Sequence, residues 1–386
     1  MSDYILSILI ISKNRYEYLE GCINSLRVFP ANEVEIVVSD NSDHPEAFQN
    51  VLKEKFSDMP NLKYSYIAEP LSVTKHSERA VKLSSGKYCC FIGDDDSVSR
   101  GMLDVVKQLA THNLPGCVCD VATYYWPDCV FVGNKKTPLT FIEHSPKVKM
   151  LHTVKVLKNV LSYGLQDIKY LARTYHSVVS REVLEKVNDK CGCYYPALSP
   201  DMGNAIGCTL SVEMYPYINQ PLIISGYSFK SASGMGLRKA HTGSLKDVPW
   251  LAPDVEDKWT PEIPKIWLGY TVWAEAGVKA LEACGQSDMA KKVNLSAMFA
   301  KIWLRYPDQR EMVMSYQHTA GDVIKLYYEC ARFMARWSKD TIRGKFQKRQ
   351  RVEETISLED AVSIVNKHVG KALPAILAKL SIAVKN

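Results

Sequence analysis

Three features of this chain predict an α/β fold, a mostly parallel, Rossmann-like sheet with flanking helices, followed by an α-helical extension. Apolar, β-branched runs recur through the first hundred residues. Stretches of helical period separate them. After about residue 245 the strand-like runs stop and long helical patterns take over.

The runs ILSILII (5–11), VEIVVS (34–39), LKYSYIA (62–68) and YCCFIG (88–93) read as strands. They are nearly continuous rather than alternating, which fits strands covered on both faces and hence a parallel sheet. Between them, Tyr16 to Val28 carries Leu19, Cys22, Ile23 and Leu26 at helical spacing, and Pro30 marks its end. Glu46 to Phe56 and Val73 to Leu83 are the next two helices, the latter closed by Ser84-Ser85-Gly86. Strand–helix alternation of this kind builds βαβ units. Further strands are expected at 117–125, 175–180 and 221–225, with helices near 149–163 and 181–188. Helical patterns then occupy 261–284, 287–305, 320–340 and 357–384, so a boundary near 240 divides an α/β domain (1–240) from the extension (241–386).

With 386 residues the chain exceeds what one hydrophobic core usually serves. Its 46% hydrophobic and 23% charged residues are those of a globular protein, and a net charge of +6 does not argue for nucleic acid. No signal peptide or transmembrane stretch is expected, and the eleven cysteines suggest a reducing compartment. Cys117/Cys119, Cys191/Cys193 and Cys89-Cys90 lack the spacing of a zinc site and read as inert buried thiols.

In a parallel sheet, ligands bind beyond the carboxyl ends of the strands. There the first strand ends in Ser12-Lys13-Asn14-Arg15, the second in Asp40-Asn41-Ser42-Asp43, and the fourth in Gly93 followed by Asp94, Asp95 and Asp96. Three adjacent carboxylates repel one another. Either they form a solvated acidic turn, or they hold a hard divalent cation, which prefers carboxylate oxygens and shares its shell with phosphate.

The segments SILIISKNRYEYLEGCINSL, EIVVSDNSD and SSGKYCCFIGDDDSVSRGML, in this order and spacing, resemble family 2 glycosyltransferases of the GT-A fold. The resemblance is good over about residues 5–105 and looser to about 235. It implies that Ser12 and Asn14 lie against a nucleotide and that Asp40 accepts a hydrogen bond from its base. It implies that Asp94 and Asp95 share ribose and metal contacts, and that Asp94 and Asp96 bind Mn²⁺ or Mg²⁺, Asp96 first. Lys75, in the segment Lys75-His76-Ser77-Glu78-Arg79, is the expected cation over the nucleotide. Gly93 stands where many members carry an acid, and the second motif lacks a glycine after its acidic pair. Arg15 reads equally well as a solvated residue at a helix start.

Ser199-Pro200-Asp201 is a helix-start signature. An acid in a first helical turn is favoured by the helix dipole alone, but the family resemblance implies that Asp201 is the catalytic base, with Asp167 in reserve. The loop ISGYSFKSASGMGLRKAHTGS (224–244) reads either as a linker or as a lid. In a lid, Lys230, Arg238, Lys239 and His241 would neutralise diphosphate charge and His241 would complete a metal shell.

Between 332 and 351 eight Lys or Arg residues stand with Phe333, Trp337 and Phe346, followed by the apolar, lysine-spaced VGKALPAILAKLSIAVKN. This reads as attachment to an anionic membrane face or as a helix docked on the core. The expectation is a metal-dependent, inverting glycosyltransferase at the cytoplasmic face of the cell membrane. It would take a nucleotide-diphosphate sugar, UDP favoured, and act on a glycan hydroxyl, with a lipid-linked polysaccharide as the expected acceptor class and no nucleic-acid partner. The alternatives are a nucleotidyltransferase and a non-catalytic nucleotide- or glycan-binding scaffold.

Overall fold

The computed structural model of the chain describes residues 4–129, 137–237, 242–248, 251, 254–346, 349–355 and 357–383. The first half alternates as expected: β1 (Leu6–Ser12), α1 (Tyr16–Ser25), β2 (Val34–Asp40), α2 (Glu46–Lys55), β3 (Leu62–Tyr66), α3 (Val73–Leu83), β4 (Tyr88–Gly93), a short β5 (Ser97–Val98) and α4 (Gly101–Thr111). Then come β6 (Gly116–Tyr125), β7 (Thr137–Ile142), β8 (Val148–His152), α5 (Thr153–Ser162), β9 (Ser177–Ser180), α6 (Arg181–Cys191), α7 (Pro200–Leu210) and β10 (Met214–Tyr227). The remainder is α8 (Ala232–Leu237), α9 (Gly269–Ala283), α10 (Ser287–Ala290), α11 (Leu295–Arg305), α12 (Arg310–Ser315), α13 (Ala320–Phe346), β11 (Arg349–Thr355) and α14 (Leu358–Ala383).

The strands form one mixed sheet in the order β11-β7-β6-β9-β4-β1-β2-β3, with β10 pairing β5, β6 and β8. The four N-terminal strands β3, β2, β1 and β4 run parallel, and β9 joins β4 antiparallel. Side chains alternate across a strand. Leu6, Ile8 and Ile10 of β1 therefore pack into one core with α1, α4 and α14, while Leu9 faces a second core with α3, α5, α6, α7, α9 and α11. Both cores extend into the C-terminal third of the chain.

Some expectations needed correction: the extension is not wholly helical, since β11 lies within it and pairs with β7. The region 149–163, read as helix, is β8 followed by α5, because Val148–His152 pairs with β10 across the sheet. Periodicity within the segment carries no sign of that partner. Of the two readings of the final apolar stretch, membrane face or docked helix, α14 follows the second. Val365, Val369, Ala372, Ile376 and Leu380 of α14 are buried against α1, α4 and β10. The helix also contributes Asn366, whose Oδ1 accepts from Ser99 Oγ at 2.9 Å. Among the described residues no helix is long and apolar enough to cross a membrane.

Candidate functional site

Parallel register delivers the polar rim. Ser12 pairs with Asp40 across β1 and β2, and Ile11 pairs with Gly93 across β1 and β4, so Ser12 lies beside Asp94 one step further along. Ser12 Oγ donates to Asp94 Oδ2 at 2.8 Å. Asn14, held at φ 58°, receives Asp43 N on its side-chain oxygen at 2.9 Å and donates its own backbone N–H to Ser42 Oγ at 2.7 Å. The loops after β1 and β2 are thereby fastened to each other.

Asp94, Asp95 and Asp96 are 1%, 4% and 1% exposed. Burying three carboxylates costs far more than burying one unless charge is returned to them. Arg15, at the start of α1, does this. Its Nη1 lies 2.9 Å from Asp94 Oδ1 and its Nη2 lies 2.9 Å from Asp95 Oδ2. Nη2 also donates to Ser228 Oγ at 2.8 Å, and that hydroxyl donates to Asp95 Oδ2 at 2.6 Å. Asp96 is held differently. Its Oδ2 accepts from Gly93 N and from His176 Nε2, and its Oδ1 from Gly226 N, each at 2.7 Å.

These partners set the charge states. Burial pushes Asp94 up to about 7, against the pull of Arg15, and pushes Asp95 up for the same reason. Burial acts the same way on Asp96, but His176 and the two backbone N–H groups outweigh it and hold that carboxyl below its ordinary value. Asp96 is thus an ionised brace with both oxygens occupied. Asp94 Oδ1 has no hydrogen bond, and none reaches Asp95 Oδ1 among the described residues.

Glycine is required where β10 passes this cluster. A Cβ on Gly226 would lie 1.8 Å from the carbonyl oxygen of Asp95. At Gly93, where an acid was looked for, a Cβ would stand 3.0 Å from oxygens of both Asp95 and Asp96.

Asp40 is fully buried and well supplied with donors: Ser42 N at 2.9 Å and Ser42 Oγ at 2.6 Å on Oδ1, and the hydroxyls of Tyr16, at 2.6 Å, and Tyr64 on Oδ2. Lys75 is exposed in the first turn of α3, where its charge acts on Asp254. It makes no described contact with the triplet. From the same segment Arg79 donates to Ser39 Oγ at 2.6 Å and Ser65 Oγ at 2.6 Å, tying α3 to β2 and β3.

Asp201 stands in the first turn of α7 as the Ser-Pro-Asp signature implies, with Pro200 at the helix start. The Ser199 hydroxyl donates to Asp201 Oδ1 instead of capping the helix. Two sets of bonds place this turn. Thr74 Oγ1 of α3 donates to Ala197 O at 3.0 Å, and Glu78 accepts Tyr195 N at 2.6 Å. Asn204 of α7 accepts Thr174 N at 2.9 Å, two residues before His176. The phenol of Tyr175, stacked on His176 at 3.9 Å, is pushed up by burial and then by Asp96, Asp201 and Asp95, so these carboxylates share one neighbourhood. Asp167 does not join them. It lies against α13, 3.7 Å from Arg336.

Lys230 pairs with Glu17 of α1 at 2.6 Å. Arg238, Lys239 and His241 lie outside the described residues. Among those described, no group of three or more His, Cys, Asp or Glu is arranged to hold a metal by itself. A cavity of about 550 Å³ opens beside Arg15, lined by Tyr18, Trp126, Asp128 and Phe229, and the Trp126 indole donates to Asp95 O at 2.9 Å. A larger one, about 940 Å³, lies by Lys87, Tyr88 and Arg181 at the opposite ends of the strands, away from the triplet.

Sequence reading missed His176, Ser228 and Trp126, and left Arg15 undecided. Only His176 carries a local sign, a φ of 54° that is uncommon for a non-glycine residue and invisible before the backbone is known.

The doubly wound sheet and its acidic rim define a domain of the GT-A type. Residues 7–163 match the family described as Glycosyl transferase family 2. No curated protein matches the sequence. Among solved structures, TarS 1–349 of S. aureus in complex with UDP-GlcNAc is 14% identical, with a TM-score of 0.49, over 97% of this chain and 90% of that one. TarS of S. aureus is 18% identical with a TM-score of 0.42, over 57% and 36%. A mannosyltransferase of Pyrobaculum calidifontis in complex with GDP-Man and Mn²⁺ is 16% identical with a TM-score of 0.39, over 84% and 87%. The chain spans between 36% and 61% of the length of the first three structures it matches.

Proposed function

We propose that the chain transfers a sugar from a nucleoside-diphosphate donor to a hydroxyl group of a glycan acceptor, with inversion at the anomeric carbon. One observation carries this reading. Within the family 2 part of the chain, a buried carboxylate triplet at the end of β4 lies directly beside the loops that close β1 and β2. That is the rim where a doubly wound sheet seats a nucleotide.

Asp201 acts as the base. The acceptor oxygen attacks the anomeric carbon as the bond from that carbon to the diphosphate oxygen breaks, and the hydroxyl proton passes to Asp201. Asp201 is half-buried in the first turn of α7, where its Oδ1 accepts the Ser199 hydroxyl and its charge reaches Tyr175, and this position supports the role. Ser12, Asn14 and Asp40 form the nucleotide end of the site, and uridine is the base the family resemblance favours. Because Tyr16 and Tyr64 occupy Asp40, their hydroxyls are the groups that would yield when a base arrives.

A divalent cation, Mn²⁺ or Mg²⁺, would take the place that the Arg15 guanidinium holds, 2.9 Å from an oxygen of Asp94 and of Asp95. Those two carboxylates would hold it once Arg15 moves aside, and Asp96 would brace them. Such an ion supplies Lewis acidity to a departing diphosphate. The acceptor is proposed to be a lipid-linked polysaccharide at the cytoplasmic membrane face. With α14 buried, membrane contact would fall to α13, where Tyr328, Met334 and Trp337 are 64%, 50% and 59% exposed.

The test is incubation with UDP-, GDP- and dTDP-sugars and Mn²⁺, following release of nucleoside diphosphate. Slow release from one donor class, lost in Asp95→Ala, is expected. Absence of release from every donor, together with no thermal shift by any nucleoside diphosphate, would overturn the reading.

A further inference from the structure

The C-terminal ends of α6 and α9 meet at two cysteines. Cys191 and Cys284 are 93 residues apart in sequence, yet their sulfurs are 2.9 Å apart, closer than two thiols rest without interacting. Cys193 sits beside them, its Sγ 3.6 Å from the Cys191 carbonyl oxygen. The other eight cysteines are buried. We infer that Cys191 and Cys284 are a reversible oxidation site, a thiol pair that a peroxide converts to a disulfide joining α6 to α9.

Access sets the order of events. Cys191 is partly exposed and is the sulfur a small oxidant reaches first. Cys284 is 9% exposed, and burial pushes its thiol well up, so it serves as the resolving partner. Cys191 attacks the O–O bond of hydrogen peroxide, giving a sulfenic acid and water. The Cys284 sulfur then displaces hydroxide from the sulfenic sulfur, which leaves as a second water with the thiol proton. Two thiols and one peroxide thus become one disulfide and two waters, and a dithiol reverses the change.

The position gives the site its consequence. α7, whose first turn carries Asp201, packs against both α6 and α9. A bond between those two helices fastens α7 from both sides and closes a long loop of chain, which lowers the entropy of the unfolded state. This inference does not depend on the transferase reading.

The test uses the full-length protein. After brief exposure to hydrogen peroxide it is denatured in acid, alkylated and mapped without reduction. Two of the eleven thiols should be protected, on a peptide joining Cys191 to Cys284. The melting temperature should rise by about 3 °C and return with dithiothreitol. Cys284→Ser should abolish the rise while leaving Cys191 open to a sulfenic-acid trap such as dimedone. Cys191→Ser should abolish both. Full alkylation of all eleven thiols after peroxide, or a Cys191–Cys193 link in place of Cys191–Cys284, would overturn the proposal.

Discussion

The guanidinium of Arg15 stands between Asp94 and Asp95, 2.9 Å from an oxygen of each. It answers how three adjacent carboxylates can be buried: two share an internal cation, and the third takes a histidine and two backbone N–H groups. Removing one member of a buried ion pair strands the other, at a cost of about 3 kcal/mol. Arg15→Met should therefore lower the melting temperature at pH 8. Because the stranded charge is negative, Mn²⁺ should restore much of the loss, which thermal shift with and without the ion would read.

Asp94 gives a prediction of opposite sign. Its carboxyl is raised to about 7 by burial, against an unfolded value near 3.9. The protonated form is favoured in the fold, so its contribution to stability is complete below about pH 4 and is lost as pH rises through 7. Asp94→Asn should melt higher than the parent at pH 8, with the gap closing toward pH 5, while donor turnover falls. A variant that melts lower at every pH would contradict the assignment.

For Asp201→Asn, transfer should drop by roughly 10² to 10⁴, the contribution of a general base. Nucleoside-diphosphate affinity should stay within about twofold, because α7 and its bonds to Thr74 and Thr174 are untouched. Calorimetry together with turnover separates the two. Weakened donor binding would move Asp201 out of the base role.

Gly226→Ala should be among the most damaging single changes, since the added carbon meets the Asp95 carbonyl at 1.8 Å. The backbone of β10 or of the triplet must shift, at a cost of several kcal/mol. Loss of soluble protein, or a melting temperature lower by more than 5 °C, is the expected result.

Ending the chain at residue 357 removes α14 and uncovers its seat on α1, α4 and β10. A dispensable membrane anchor would leave a folded, soluble remainder. The truncated chain should instead aggregate or bind a hydrophobic dye strongly.

Much of the frame was legible beforehand. β1 to β4 and α1 to α3 were readable because near-continuous apolar strands and amphipathic helices are local patterns, and the rim followed from the rule that parallel strands end together. Errors fell where a partner lay far away. β10 runs from Met214 to Tyr227, much longer than the 221–225 expected, because β6 and β8 both pair with it. The apolar stripe of α14 was visible, but a stripe is the same whether a bilayer or a core covers it.

The amino-acid order by itself determined the four parallel strands, their rim and the cluster of acids upon it, since each is written within a few consecutive residues. The tertiary structure alone decided which charge steadies each acid. Asp96 meets His176 across 80 positions of chain, and Asp95 meets Ser228 across 133. Electrostatic pairing acts through space, and only the folded backbone brings such groups within reach.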